Sequence, residues 1–220
     1  NIPLLVEPHV SAREAEQQNT HGEPEVIRLR EVGPPETTYN YVFLSGGYSL
    51  ADRQMFIKNV TDLANMLFDP QMDTAAPQDP LDSIKNIHRT CPFNRYWGFW
   101  NAYAVFQPSN ERGASRPLKG LVVDNNLGCL HPAEIERAVS CDRNLAGALT
   151  KVSPAPFAAD PERVSIICVV NTHIYGGSAI YIPGKMHFSN FFNGFELEKD
   201  GDKERMLSLV DHEIGHSVGN

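Results

Sequence analysis

The chain has 220 residues, 41% of them hydrophobic and 21% charged, which is the composition of a globular protein with a sizeable core. The formal net charge of −8, without a cluster of Lys and Arg, argues against nucleic acid as the partner. The longest apolar run, residues 164–170, is much shorter than the roughly 20 residues that span a bilayer, so no membrane-spanning helix is predicted.

Residues 1–38 are polar, with Pro and Glu scattered through them. We interpret this segment as an N-terminal arm or the remnant of an upstream segment, in which residues 25–30 are compatible with a short strand. The Gly33-Pro34-Pro35 cluster marks a boundary, so the main domain is predicted over residues 39–220.

The main domain opens with a strand followed by a helix. Residues 41–44 (YVFL) predict a short strand, which Ser45-Gly46-Gly47 closes. A long helix is predicted next, with Ser49 as its N-cap. One face of this helix is apolar and comprises Phe56, Val60, Leu63, Ala64 and Leu67. A strand, a glycine turn and a helix in this order are typical of an α/β fold.

The middle of the chain predicts several short elements. Residues 93–100 (FNRYWGFW) are unusually aromatic, and we interpret Trp97, Phe99 and Trp100 as packing residues. The patterns that follow predict strands at 103–106 and 121–123 and short helical segments at 134–139 and 143–149.

The last third of the chain holds the clearest strand, residues 164–170 (VSIICVV), which is β-branched and apolar on both faces, with Ser165 as its one polar residue, and is therefore predicted to be central. After the turn at residues 175–178 (YGGS), residues 179–182 predict an edge strand that ends at Pro183. The final element is a helix from Asp202, whose apolar stripe is Leu207, Val210 and Ile214.

None of the four cysteines is spaced as Cys-x-x-Cys, so a cysteine zinc site is not predicted. Cys129 and Cys141 flank a short loop-like stretch, and a local disulfide between them is possible. Cys168 lies within the predicted central strand and is expected to be a buried free thiol. The sequon at Asn59 falls inside the first helix, and the sequence leaves its glycosylation open.

The final helix carries HEIGH at residues 212–216. His212 and His216 are four residues apart, so their side chains leave one helix face and can bind the same Zn²⁺. Glu213 adjoins the first ligand and can act as general base on a water that the metal activates. The alternative is two surface histidines and a glutamate on a solvated helix.

A third protein ligand is not identified by the sequence. Residues 212–219 read HExxHxxG, which resembles the start of the extended metzincin pattern, where a glycine turn leads to the third ligand. Because only Asn220 follows, we expect the third ligand beyond Asn220. His173 and His187 are weaker alternatives.

Four motifs in a fixed order resemble the IgA-peptidase family of zinc metallopeptidases. They are FLSGGYS (43–49), CPFNRYWGFWNAYAVFQPSNERG (91–113), VSIICVVNTHIYGGSA (164–179) and HEIGHSVGN (212–220), and the resemblance covers roughly residues 41–220. It implies that His212 and His216 bind zinc and that Glu213 is the general base. It also implies that this sequence is cut just after the zinc helix and that the third zinc ligand is an acidic residue beyond the cut. Two positions depart from the family pattern, Gly46 in place of an acidic residue and Arg112 in place of serine.

We therefore predict an α/β, zincin- or metzincin-like fold with a mixed twisted sheet, a long early helix and a C-terminal zinc-binding helix. The predicted function is that of a zinc-dependent endopeptidase, which hydrolyses peptide bonds of extracellular proteins through a zinc-activated water. The alternative is a catalytically inactive, secreted binding or adhesion module that retains the fold. The acidic charge, the possible disulfide and the family resemblance favour a secreted protein, and the start at Asn1 is compatible with a removed signal.

The edge strand at 179–182 is expected to lie above the cleft and to pair with an extended protein or peptide substrate. The candidate cleft residues are Gly176, Gly177, Ala179 and Ile180. The alternative is that residues 175–178 form a turn and nothing more.

Overall fold

Six strands form one mixed sheet in the computed structural model, which describes residues 21–68, 97–135, 138–193, 209–210 and 212–214. The strand order is β1-β3-β2-β4-β6-β5. The strands are β1 Glu25–Arg30, β2 Tyr39–Gly46, β3 Trp100–Phe106, β4 Val164–Val170, β5 Gly177–Ile182 and β6 Met186–Phe192. The helices with complete bounds are α1 Arg53–Phe68 and α2 Arg143–Thr150. The predicted mixed α/β fold is confirmed at this level.

The four inner strands β3, β2, β4 and β6 run parallel, and the edge strands β1 and β5 pair antiparallel to their neighbours. Every residue of β4 is buried, as expected for a strand with helices or loops on both faces of the sheet. The predictions of a central strand at 164–170 and an edge strand at 179–182 are therefore confirmed.

Helix α1 covers one face of the sheet. Before it, Asp52 Oδ2 accepts hydrogen bonds from the backbone N of Ser49 at 3.0 Å and from its Oγ at 2.7 Å, which stabilises the start of the helix. The predicted apolar face is buried against the sheet, and the same core includes Val210 and Ile214 from the C-terminal helical residues. Helix α1 and the described residues of the C-terminal helix thus pack on the same side of the sheet.

The opposite face is covered by α2 and the loops around a disulfide between Cys129 and Cys141. The possible local disulfide is confirmed, and so is the buried free thiol of Cys168, whose pKa is raised by burial. Asp142 caps α2, because its Oδ1 accepts hydrogen bonds from the backbone N of Asn144 at 2.7 Å and of Leu145 at 3.1 Å.

The segment predicted as an N-terminal arm contributes a strand to this sheet. β1 pairs with β3, and Arg53 of α1 donates from Nε to Glu25 Oε2 at 2.6 Å. The sheet therefore begins at residue 25, while the domain division at residue 38 stays a prediction.

Three local expectations are wrong. Residues 121–123 form no strand, because Gly120, with φ of 65°, turns the chain back so that only Leu121 bridges to Arg116. The described residues of 134–139 are not helical: residue 134 lies in a turn, and 135, 138 and 139 are irregular. Phe99 is 69% exposed, whereas Trp100 does pack against the core.

Asn59 is buried on α1, and its Nδ2 donates to Asn193 Oδ1 at 3.2 Å. The folded protein therefore leaves no room for a glycan on this nitrogen. Among the described residues, no helix has both the length and the apolar character needed to cross a membrane.

Candidate active site at the edge of the sheet

The C-terminal helical residues turn one side to the core and the other to solvent. Val210 and Ile214, four residues apart, are completely buried, which confirms two of the three residues predicted for the apolar stripe. His212 lies between them in sequence, on the opposite side of the helix, and is exposed. The third stripe residue, Leu207, and the second predicted ligand, His216, lie outside the described residues.

Glu213 is only 8% exposed because its side chain packs against the edge strand. A Cβ at position 177, the first residue of β5, would lie 3.0 Å from Glu213 Oε1. The backbone oxygen of Glu213 also accepts a hydrogen bond from Ser189 Oγ of β6 at 3.3 Å. The β5–β6 hairpin thus contacts both the side chain and the backbone of the predicted general base.

The predicted cleft residues lie along β5 and just before it. Gly176 accepts a hydrogen bond from Phe192 N at 3.0 Å, which joins the start of β5 to the end of β6. Gly177 and Ala179 belong to the face of β5 on which Glu213 packs, and Ile180 belongs to the other face. The outer edge of β5 pairs with no other strand among the described residues.

Neither histidine considered as an alternative third ligand gains support. His187 lies four residues along β6 from Phe191, the partner of Gly177, which is about 13 Å at the rise of a β-strand. Its Nε2 is 2.9 Å from Glu162 Oε2. His173 is exposed in the turn after β4. No group of three or more His, Cys, Asp or Glu residues in the described part of the chain is arranged to hold a metal.

Glu162 organises the closed end of the β5–β6 hairpin, a role that the sequence did not predict. Besides His187, it accepts hydrogen bonds from the backbone N of Gly184 and, at 3.4 Å, from Tyr181 OH. The hydrogen bonds from His187 and then Gly184 hold the pKa of Glu162 below its ordinary value of 4.5. The role of Glu162 cannot be predicted from its neighbours in sequence, because its partners lie about twenty residues further along the chain.

A second network missed by sequence reasoning surrounds the glycine turn after β2. Asn126 Nδ2 donates to Ser45 O at 2.7 Å and to Gln107 O at 3.0 Å, and its Oδ1 accepts from Ser109 Oγ at 2.8 Å. Gly47 has φ of 71° and contacts Gly113, whose N donates to Gly47 O at 2.9 Å. These bonds fix the carboxyl ends of β2 and β3 relative to each other.

The two departures from the family pattern have structural explanations. A Cβ at Gly46 would lie 2.8 Å from the Sγ of Cys129, so the disulfide occupies the space of a side chain there. Arg112 Nη2 lies 3.6 Å from Asp52 Oδ1, so this arginine contacts the residue that stabilises the start of α1.

A comparison with family models finds a match to the family described as IgA Peptidase M64 over residues 77–220. The matched range contains the histidines and the glutamate of HEIGH, as well as β3 to β6, whereas the FLSGGYS motif precedes it. A search of curated proteins returned no match. Because the matched range is well over half of the chain, the chain belongs to the IgA Peptidase M64 family, a family of peptidases whose substrates are proteins.

Proposed function

We propose that this chain is a zinc-dependent endopeptidase domain of zincin-like fold that acts on extracellular proteins. Membership in a peptidase family supports the reaction class. The observation that carries the proposal further is the position of Glu213, a buried carboxylate that packs against the first residue of β5, the edge strand of the described sheet. A general base is thereby held next to a backbone edge to which a peptide can add.

The residues present fit a zinc ion. Two imidazoles four residues apart on a helix suit Zn²⁺, and residues 212–214 have the helical backbone that this spacing requires. His212 is on the exposed side of the helix, where a metal can reach it. Zinc held by His212, His216 and a third ligand would supply Lewis-acid activation of a carbonyl and of water.

The chain's own residues would then bind the peptide and move the proton. An extended substrate pairs with the outer edge of β5 through backbone hydrogen bonds, so recognition of its main chain does not depend on its sequence. Glu213 accepts a proton from the attacking water and passes it to the leaving amine. The contact with Gly177 and the hydrogen bond from Ser189 keep this carboxylate at the edge of the sheet.

We also propose that the protein is secreted. The Cys129–Cys141 disulfide supports an oxidising compartment, because such bonds are rare in reducing ones. Extracellular proteins are then the accessible substrates, and immunoglobulin A, which the description of the family names, is one to test.

The test measures zinc content and peptidase activity in the natural full-length protein, with unfolded reporter protein and immunoglobulin A as substrates. We expect one equivalent of zinc in the wild type. Glu213→Gln should keep the zinc and lose about 10²- to 10⁴-fold in kcat, the usual contribution of a general base. His212→Ala should lose both zinc and activity.

Two exposed residues of the same types provide matched controls. Glu36→Gln changes the same charge as Glu213→Gln, and His173→Ala removes an exposed imidazole, and both should leave zinc content and activity unchanged. A zinc-free wild type, or full activity in Glu213→Gln, would contradict the proposal and favour the non-catalytic binding module.

A further inference from the structure

Gly177 is a glycine whose backbone does not require one. Its φ lies outside the left-handed region, in contrast to Gly47 or Gly184, so other residues can adopt its backbone conformation. What excludes a side chain is space. A Cβ at this position would lie 3.0 Å from Glu213 Oε1 and 3.1 Å from each of the two Cδ atoms of Leu209.

The groups around this position are held in place. Leu209 and Glu213 are four residues apart on one helix face, and both are less than a tenth exposed. Ser189 Oγ binds the backbone oxygen of Glu213. On the strand side, Gly177 pairs with Phe191, and the preceding Gly176 accepts a hydrogen bond from Phe192. A methyl group at position 177 therefore has to displace the carboxylate of Glu213, the side chain of Leu209, or both.

We propose that Gly177 is a positioning residue for the general base: its missing side chain lets the carboxylate of Glu213 pack directly against the edge strand. This inference rests on the proposed peptidase function. The outer backbone edge of β5, which would bind the peptide, is separate from the face that the methyl group would fill. A side chain at position 177 therefore impairs proton transfer more than peptide binding.

The first experiment measures kcat, KM and zinc content of Gly177→Ala in the full-length protein. A carboxylate displaced by a few tenths of an ångström to one ångström should lower kcat about 10- to 100-fold, while KM stays within about twofold and the zinc content is unchanged. Gly98→Ala is the matched control, because a Cβ at the exposed Gly98 meets no atom of the described residues within 4 Å and its φ is not left-handed.

A second variant tests the cause of the loss. Leu209→Ala in the Gly177→Ala background empties the space beside the new methyl group, so the carboxylate can return and kcat should recover at least tenfold. A merely structural defect would worsen with this second loss of packing. If Gly177→Ala alone does not fold, the double variant becomes the test. The inference is then overturned unless the double variant folds and has a higher kcat than Glu213→Gln.

Crystal structures of the wild type and Gly177→Ala give a readout that does not require activity. The inference requires the Glu213 carboxylate to move away from β5 in the variant. An unmoved carboxylate, an unchanged kcat, or a loss confined to KM overturns it. A zinc-free or inactive wild type would instead contradict the proposed function, and the shift of Glu213 between the two structures would still show whether Gly177 positions it.

Discussion

At the scale of single residues, Gly46 shows why a family motif does not transfer position by position. The resemblance leads one to expect a carboxylate in this turn, but the Sγ of Cys129 would lie 2.8 Å from a Cβ there. Gly46 is also anchored by its backbone, since its oxygen accepts a hydrogen bond from Asn171 N at 2.8 Å. The disulfide and a side chain at position 46 therefore exclude each other.

We predict that Gly46→Asp lowers the free energy of unfolding by about 2–4 kcal/mol, because it overpacks a buried site and places a carboxylate in it. Urea unfolding followed by circular dichroism measures the change. Gly98→Asp introduces the same side chain at an exposed glycine and should change stability by less than about 0.5 kcal/mol. Equal stability of Gly46→Asp and the wild type would show that the disulfide leaves room for a side chain.

At the scale of elements, the β5–β6 hairpin is fixed at one end by the helix that carries Glu213 and at the other by Glu162. The pKa of Glu162 is lowered in the folded state, so its stabilising contribution is present above the unfolded value of 4.5 and is lost as pH falls through the lower folded value. The closed end of the hairpin should therefore loosen in acid, below pH 4.5.

We predict that Glu162→Gln lowers the urea midpoint at pH 7 and that the difference from the wild type shrinks as pH falls below 4.5, because the protonated carboxyl group then resembles the amide. Hydrogen exchange should be faster at the backbone N of Gly184 and Lys185 in the variant. Asp160→Asn is the control, since Asp160 lies in the same turn but forms only an exposed ion pair with Arg163. A midpoint difference that does not shrink as pH falls below 4.5 would contradict the assigned role of Glu162.

Elements that a local pattern specifies were predictable, and those that depend on distant contacts were not. The apolar run of β4, interrupted only by Ser165, and the one-faced periodicity of α1 after a capping residue each determine their element from neighbouring residues. The strand predicted from the apolar residues at 121–123 does not form, because Gly120 has a left-handed backbone conformation and reverses the chain. The described residues of 134–139 are not helical, because Leu130 bridges to Ser140 and the disulfide joins Cys129 to Cys141 on either side of them.

At the scale of the whole molecule, the candidate site combines one local signal with one long-range contact. HEIGH could be recognised because its spacing is a property of a single helix turn. The contact between Glu213 and Gly177 could not be derived, since 36 residues separate them and only the antiparallel placement of β5 brings them together. The sequence thus named the chemical groups of the site and included Gly177 among the cleft residues, but it did not predict the contact of this glycine with Glu213.

The same long-range packing determines which residues the folded unit needs at its N-terminal side. β1 covers the edge of β3 along five paired positions, and its apolar side chains Ile27 and Leu29 pack against the core. Just before β1, the backbone oxygen of Gly22 accepts a hydrogen bond from Gln107 Nε2 at 3.1 Å. A division of the chain at residue 38 would remove all of these contacts.

We predict that a full-length protein shortened to begin at Glu31 is less stable, by about 2–4 kcal/mol from the apolar burial of Ile27 and Leu29, than one shortened to begin at His21. It should also self-associate, because the edge of β3 then exposes unpaired backbone groups. Urea unfolding and size-exclusion chromatography with light scattering measure the two effects. Two equally stable monomers would show that the domain begins after β1, as the predicted boundary at residue 38 requires; a weaker, self-associating shorter form would place its start at or before residue 25.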